Sequence, residues 1–181
     1  DIPDLSRACD LWGMTSVVRV NLNFPGVIYR TLDVGAQGIV VPHVDTVEDA
    51  RAVVKAGRFA PQGLRGNYTS RQGIGVDDYA SKANDEVLLV VLIEDVIAID
   101  NLAEILTVDG IDVFFVAPGD LSQSMGSLGG MNDPEVQKVV DRAYEQIIAA
   151  GRTAGGMASD AAVEANIEKG VRFLLTSWEG W

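Results

Sequence analysis

The sequence predicts an α/β protein built on a parallel sheet. Short apolar, β-branched runs recur along the chain, most are followed by a segment with apolar residues at helical spacing, and the strongest runs are unbroken rather than alternating. Strands that read as continuous apolar runs are buried on both faces, and helices between them make neighbouring strands parallel. Such a sheet is either doubly wound or closed, and six strands do not separate the two.

The first unit is the strand SVVRV at 16–20 and a helix over 25–34, where Val27, Ile28 and Leu32 fall at helical spacing and Gly35 stops the turn. GIVVP at 38–42 leads to a helix over 46–57, with Thr46 able to cap, Glu48 and Asp49 in the first turn and Gly57 at the end. VLLVVLI at 87–93 leads to a helix over 96–106. IDVFFVAP at 111–118 leads through a Gly/Ser-rich loop to a helix over 133–150, with Pro134 suited to its first position. TAGGMA at 153–158 precedes a helix over 160–169, and VRFLLTSW at 171–178 is a strand with no helix after it. The pattern is βα five times and then a bare strand. Neither a linker nor a low-complexity stretch divides the chain, so one domain over 1–181 is expected.

Composition excludes several partners. With 14 Lys plus Arg against 26 Asp plus Glu, the formal charge is -12, and a surface this acidic repels phosphate backbones and anionic headgroups. No nucleic acid or membrane partner is expected, and the apolar runs are far shorter than the ~20 residues of a membrane span. Cys9 is the only cysteine, so an internal disulfide and a zinc site built on several thiolates are excluded. A soluble, cytoplasmic chain is the expectation.

In parallel α/β folds reactive groups gather at the carboxyl ends of strands. That filter selects Arg19, His43, Glu94, Asp120 and the Ser177–Glu179 end. Glu94 closes a seven-residue apolar run, where a carboxylate must be solvated in a cleft, paired or bound to metal. Its alternative is a helix-capping role. Asp120 follows FFVAPG, a turn that can aim an acid over the strand end, or it caps a short helix LSQSM. Two such carboxylates on successive units make a hard oxygen site suited to Mg2+ or Mn2+, completed by water and substrate oxygens. Arg19 is suited to bidentate recognition of a carboxylate, or forms a structural ion pair. His43, the sole histidine, is either an acid/base group on the same rim or structural. The glycines of QGIG at 72–75 and GSLGG at 126–130 lack the strand-to-helix spacing of phosphate loops and read as plain loops.

Taken together, VVRV, LDVGAQGIVVPHVDTVEDAR, RFAPQGLRG, the IE of VLIED, GIDVFFVAPGDLS and NDPEV resemble the HpcH/HpaI family of metal-dependent 2-oxo-acid aldolases over nearly the whole chain. The resemblance implies a (β/α)8 TIM barrel, here six of the eight strands, with two strands expected before residue 1 and a helix after the last strand. It implies Glu94 and Asp120 as ligands of a divalent cation (Mg2+, or Mn2+ or Co2+), Arg19 as the group that binds the 2-oxo acid, and the amides of Gly119 and Asp120 as holders of its carboxylate. His43 is assigned to the substrate rim. The metal would polarise the 2-oxo group and stabilise the enolate shared by aldol cleavage and addition. No imine-forming lysine is needed, and Lys55, Lys82, Lys138 and Lys169 all fall on predicted helices or loops.

The chain departs from the family at several points. The family histidine tied to proton transfer lies in the segment expected upstream, and His43, at another strand end, is not its equivalent. Leu92 stands where relatives tend to carry Gln, and TSWEGW differs from the usual end of the last strand. The expected activity is cleavage of a 4-hydroxy-2-oxo acid to pyruvate or a related 2-oxo acid plus an aldehyde, in a homo-oligomer that the resemblance suggests is a hexamer. The alternatives are a citrate-lyase-β or malyl-CoA-lyase type, for which Arg58, Arg65 and Arg71 are too scattered to form a CoA patch, and a truncated, non-catalytic barrel.

Overall fold

The computed structural model describes residues 1–67 and 70–176. In chain order the elements are α1 (Ile2–Leu11), β1 (Val17–Arg19), α2 (Pro25–Asp33), β2 (Gly38–Val41), α3 (Val47–Gly57), α4 (Tyr79–Glu86), β3 (Leu88–Ile93), α5 (Val96–Asp100), α6 (Leu102–Ile105), β4 (Val113–Val116), α7 (Pro118–Ser124), α8 (Pro134–Ala149), β5 (Ala154–Ala158), α9 (Val163–Glu168) and β6 (Phe173–Thr176). All six strands are parallel and hydrogen-bonded in sequential order, β1 through β6. A doubly wound sheet reverses its order at a switch point, and this one does not. The chain is a curled partial barrel with helices outside.

The unbroken apolar runs follow from burial on both faces. Along β3, Leu89, Val91 and Ile93 join the outer core beneath the helices, while Val90 and Leu92 face an inner layer. β4 repeats the division, with Phe114 and Val116 outward and Val113 and Phe115 inward. Phe173 of β6 closes on Phe115 edge-to-face, ring centroids 6.2 Å apart. The two cores therefore sandwich the sheet at β3 and β4, and period-two alternation is erased there because neither face meets water, whereas β1 and β6 keep exposed positions such as Val17 and Leu175.

At the amino-terminal end of the strands one buried side chain ties the elements together. Arg58, 2% exposed, donates to the carbonyls of Asn84, Val87 and Gly110 and to Asp112 Oδ2 at 2.6 Å. Asp112 Oδ2 in turn accepts the N–H of Leu89 at 2.7 Å. The clamp spans the entries to β3 and β4, and the hydrogen bonds compensate the desolvated guanidinium.

Several elements differ from the sequence reading. The single helix expected over 96–106 is α5 and α6, divided at Asn101, whose side chain reaches the Asp45 carbonyl at 2.9 Å. The helix expected over 160–169 is a 3-10 turn at Asp160–Ala162 followed by α9. Two further helices stand where the periodicity predicts none. α1 leaves Leu5 and Leu11 exposed and is fastened by polar contacts, Arg71 reaching the Ser6 hydroxyl at 3.0 Å and Asp10 at 2.8 Å. α4 is a polar segment held by Asn84, whose amide bonds the N–H and the carbonyl of Phe59. α4 also packs Tyr79, Ala80 and Ala83 on the core, but these small or polar-tipped residues make too weak an apolar stripe for a pattern search to find. QGIG and GSLGG lie in turns and short 3-10 segments.

Candidate active site

The register places the candidate residues on one rim. Arg19 ends β1 opposite Val40, Val41 of β2 pairs with Val91, and Ile93 of β3 pairs with Val116 of β4. The residues just past those ends are His43, Glu94 and the Pro118–Asp120 start of α7. The Ser177–Glu179 end, also selected from sequence, lies outside the described residues.

Glu94 is the centre of the arrangement. It is 3% exposed, and Leu92 lies two residues earlier on the same strand face, packed into the apolar inner layer. Its Oε1 accepts the backbone N–H of His43 at 2.9 Å and lies 3.4 Å from His43 Nδ1. Its Oε2 is buried and has no hydrogen-bond partner among the described residues. Burial pushes the Glu94 carboxyl above its ordinary range, the His43 N–H and ring pull it back, the Asp120 charge pushes it up again, and Arg19 pulls it down. The charges of three candidates, His43, Asp120 and Arg19, thus bear on the fourth, Glu94.

The neighbours of Glu94 are placed by local structure. Asp120 occupies the third position of α7 rather than its N-cap, which is Ala117, so the capping alternative for Asp120 does not hold. Pro118 has no N–H to lose at the first position, and the hydrogen-bonded ladder begins with Leu121 N–H to the Ala117 carbonyl. The N–H groups of Gly119 and Asp120 precede that ladder and so have no intrahelical acceptor. A methyl group built on Gly119 would meet no atom within 4 Å. Arg19 is exposed and forms no ion pair among the described residues. The helix-capping alternative for Glu94 also falls, because the N-cap of α5 is Asp95, which accepts the Ile97 N–H.

The loop that carries His43 escaped the sequence reading except at its end. Thr46 and Asp49 form a full capping box on α3, and Asp49 Oδ2 also accepts from Asp45 N–H at 3.3 Å. Asp45 is part-buried with Oδ1 unpartnered among the described residues. Burial, then Asp95 and Asp49, raise its pKa, and His43 opposes them. The Thr-x-x-Asp spacing announced the box, whereas nothing in the sequence announced the burial of Asp45.

The donor set fits a hard divalent cation. A buried carboxylate oxygen without a partner is costly unless a cation or water completes it, and a second carboxylate, Asp120, bears on the same group. Among the described residues no cluster of three or more His, Cys, Asp or Glu side chains is arranged to hold a metal. The protein would supply two ligands, leaving the other positions to water and substrate oxygens. Lys55, Lys82 and Lys138 lie on helices and Lys169 follows α9, where it pairs with Asp141, so none stands at the end of a strand. Arg58, Arg65 and Arg71 are engaged with Asp112, Asp33 and Asp10, which leaves no basic patch among them. No helix among the described residues is long and apolar enough to cross a membrane.

The chain is similar to known proteins in both sequence and fold. The chain is similar to a hydroxypyruvate/pyruvate aldolase of Cupriavidus necator, 42% identical over 165 residues that cover 88% of this chain and 61% of that protein. It is similar to a 4-hydroxy-2-oxo-heptane-1,7-dioate aldolase of Salmonella paratyphi B, 41% identical over 163 residues, 87% of this chain and 62% of that protein. The chain thus spans about three fifths of the length of these curated relatives. The crystal structure of an HpcH/HpaI aldolase/citrate lyase family protein from Burkholderia cenocepacia superposes with a TM-score of 0.88 at 31% identity, over 98% of this chain and 74% of that one. The model of the HpcH/HpaI aldolase/citrate lyase family matches residues 1–177, and the chain belongs to that family.

Proposed function

We propose that this chain forms the larger part of a metal-dependent aldolase that cleaves 4-hydroxy-2-oxo acids to pyruvate or a related 2-oxo acid and an aldehyde. The observation that carries the reading is Glu94, buried at a strand end with one oxygen unpartnered and with Asp120 and Arg19 bearing on it. The names of the relatives, aldolases of hydroxypyruvate and of a 4-hydroxy-2-oxo diacid, support the same chemistry.

Glu94 and Asp120 would hold the cation, Mg2+ by preference of the hard oxygen donors, with Mn2+ or Co2+ as substitutes. When bound, it supplies Lewis acidity at the 2-oxo oxygen of the substrate. The N–H groups of Gly119 and Asp120 then receive the substrate carboxylate, as amides free of the α7 ladder can. Arg19, exposed on the same rim, orients the 2-oxo acid and balances charge around Glu94. The His43 ring borders the site without acting as the base, since its nearest carboxylate, Glu94, is itself a ligand in this reading. The apolar inner layer under Glu94 excludes water from below and so strengthens each of these interactions. Assembly into a homo-oligomer, a hexamer, belongs to the same proposal and is read directly by light scattering.

The test is exchange of the methyl protons of pyruvate in deuterated water, measured on the whole enzyme of which this chain is proposed to form the larger part. Exchange is expected with Mg2+ or Mn2+ present and absent after chelation, restored on adding the metal back. Undiminished exchange after exhaustive chelation would remove the metal from the account, and cation binding without any exchange would identify a non-catalytic barrel.

A further inference from the structure

Glu94 is held asymmetrically, and the group that holds it is a piece of backbone. The His43 N–H reaches Oε1 at 2.9 Å, while Oε2 stays buried and unpartnered among the described residues. The N–H can point across from β2 to β3 because His43 is left-handed, with φ of 54°. Only His43 and Asp78 among the described non-glycine residues have positive φ. A residue with a β-carbon stays in that region only where its surroundings over-determine it.

Those surroundings are visible on every side of the 42–46 loop. From α3, Asp49 Oδ2 takes the N–H groups of Asp45 and Thr46 and the Thr46 hydroxyl. From the α5/α6 boundary, the Asn101 amide donates to the Asp45 carbonyl. From the loop after β1, the Asn23 amide donates to the Asp49 carbonyl at 3.2 Å. The imidazole, by contrast, is 67% exposed and approaches Glu94 only at 3.4 Å. The backbone that follows residue 43 is fastened at Asp45 and Thr46, and the His43 side chain is loosely placed.

We infer that the left-handed turn at His43 is an orienting clamp for Glu94, whose N–H occupies Oε1 and so presents Oε2 as the one ligand atom for the divalent cation. The inference rests on the metal reading above and deepens it. His43 is then a positioning residue, acting through its peptide N–H and not through its ring. It follows that side chains at 43 are interchangeable wherever they allow positive φ, as Gly and Asn do, and not where β-branching forbids it.

Mn2+ titrated into the metal-free full chain, with free and bound ion followed by electron paramagnetic resonance, decides the matter. His43→Gly and His43→Asn are expected to bind Mn2+ within about threefold of the parent, with the same bound spectrum. His43→Val is expected to bind about tenfold or more weakly with an altered spectrum, and His43→Ala to fall between Val and Gly if the Val variant does not fold. Binding as weak in His43→Gly as in His43→Val would assign the role to the imidazole and overturn the clamp, as would parent-like binding and spectrum in His43→Val, or Ala equal to Gly. Glu94→Gln separates the two layers of the argument: parent-like Mn2+ affinity there contradicts the metal reading itself, whatever residue 43 does.

Discussion

The two ends of the sheet each bury a charged side chain, and they treat it in opposite ways. At the amino-terminal end Arg58 has three carbonyls and Asp112 to itself, and Asp112 is anchored in turn by Leu89 N–H. At the carboxyl end Glu94 has one donor for two oxygens, and its partners Arg19 and Asp120 stand on the exposed rim. A satisfied buried ion organises the strands around it. An incompletely satisfied one raises the energy of the folded chain unless something binds there, which is the signature of a site rather than a scaffold. The contrast matches the division of labour expected of a barrel, stability at the bottom and chemistry at the top.

Removing the charge at each end should therefore have opposite consequences. Arg58→Ala leaves buried carbonyls and a carboxylate without their donor, and a loss of roughly 3–5 kcal/mol in urea unfolding is expected. The folded fraction should keep its cation affinity. Glu94→Gln should cost at least a hundredfold in the rate of metal-dependent pyruvate proton exchange, about 2.7 kcal/mol of transition-state stabilisation, while metal-free stability stays within about 1 kcal/mol of the parent or rises. Equal destabilisation by the two substitutions would erase the contrast.

How much of this contrast could be read in advance differs between the ends. The position of Glu94 at a buried strand end was legible because an acid closing an unbroken apolar run has few physical outcomes, and the rim positions of Asp120, Arg19 and His43 because they follow or end strands. The strands themselves were legible from the same runs. The Arg58 clamp was not, since its carbonyl acceptors carry no side-chain signal and lie 26 to 52 residues away. α4 was hidden in part for the same reason, since the Asn84 bonds to Phe59 leave no trace in the pattern and its apolar contacts come from Tyr79, Ala80 and Ala83. Asn101 broke a helix that periodicity alone made continuous, because its side chain serves the Asp45 loop. Long-range polar contacts are the common factor in what the sequence concealed.

Smaller effects sharpen the comparison further. Arg19 is exposed, so Arg19→Ala should weaken pyruvate binding by about tenfold, near 1.4 kcal/mol, and leave stability within roughly 0.5 kcal/mol. Unchanged pyruvate affinity would return Arg19 to the solvent. The metal-free protein should also show a pH slope owed to Glu94. Its pKa in the folded chain is raised from 4.5, chiefly by burial, so the folded state holds the proton to higher pH than the unfolded one. Stability from this group is thus greatest below 4.5 and is lost as pH rises through the raised folded value. Glu94→Gln should flatten that segment of the urea-unfolding profile, and an unaltered slope would mean that Glu94 is not the group responsible.

The most direct test of the contrast is calorimetric titration of Mn2+ into the metal-free parent, Glu94→Gln and Arg58→Ala chains under conditions where all three are folded. One site of equal affinity is expected in the parent and in Arg58→Ala, with binding at least about a hundredfold weaker, near 2.7 kcal/mol, in Glu94→Gln. Parent-like affinity in Glu94→Gln, or loss of the site in a folded Arg58→Ala chain, would contradict the assignment of binding to the carboxyl end and of structure to the other.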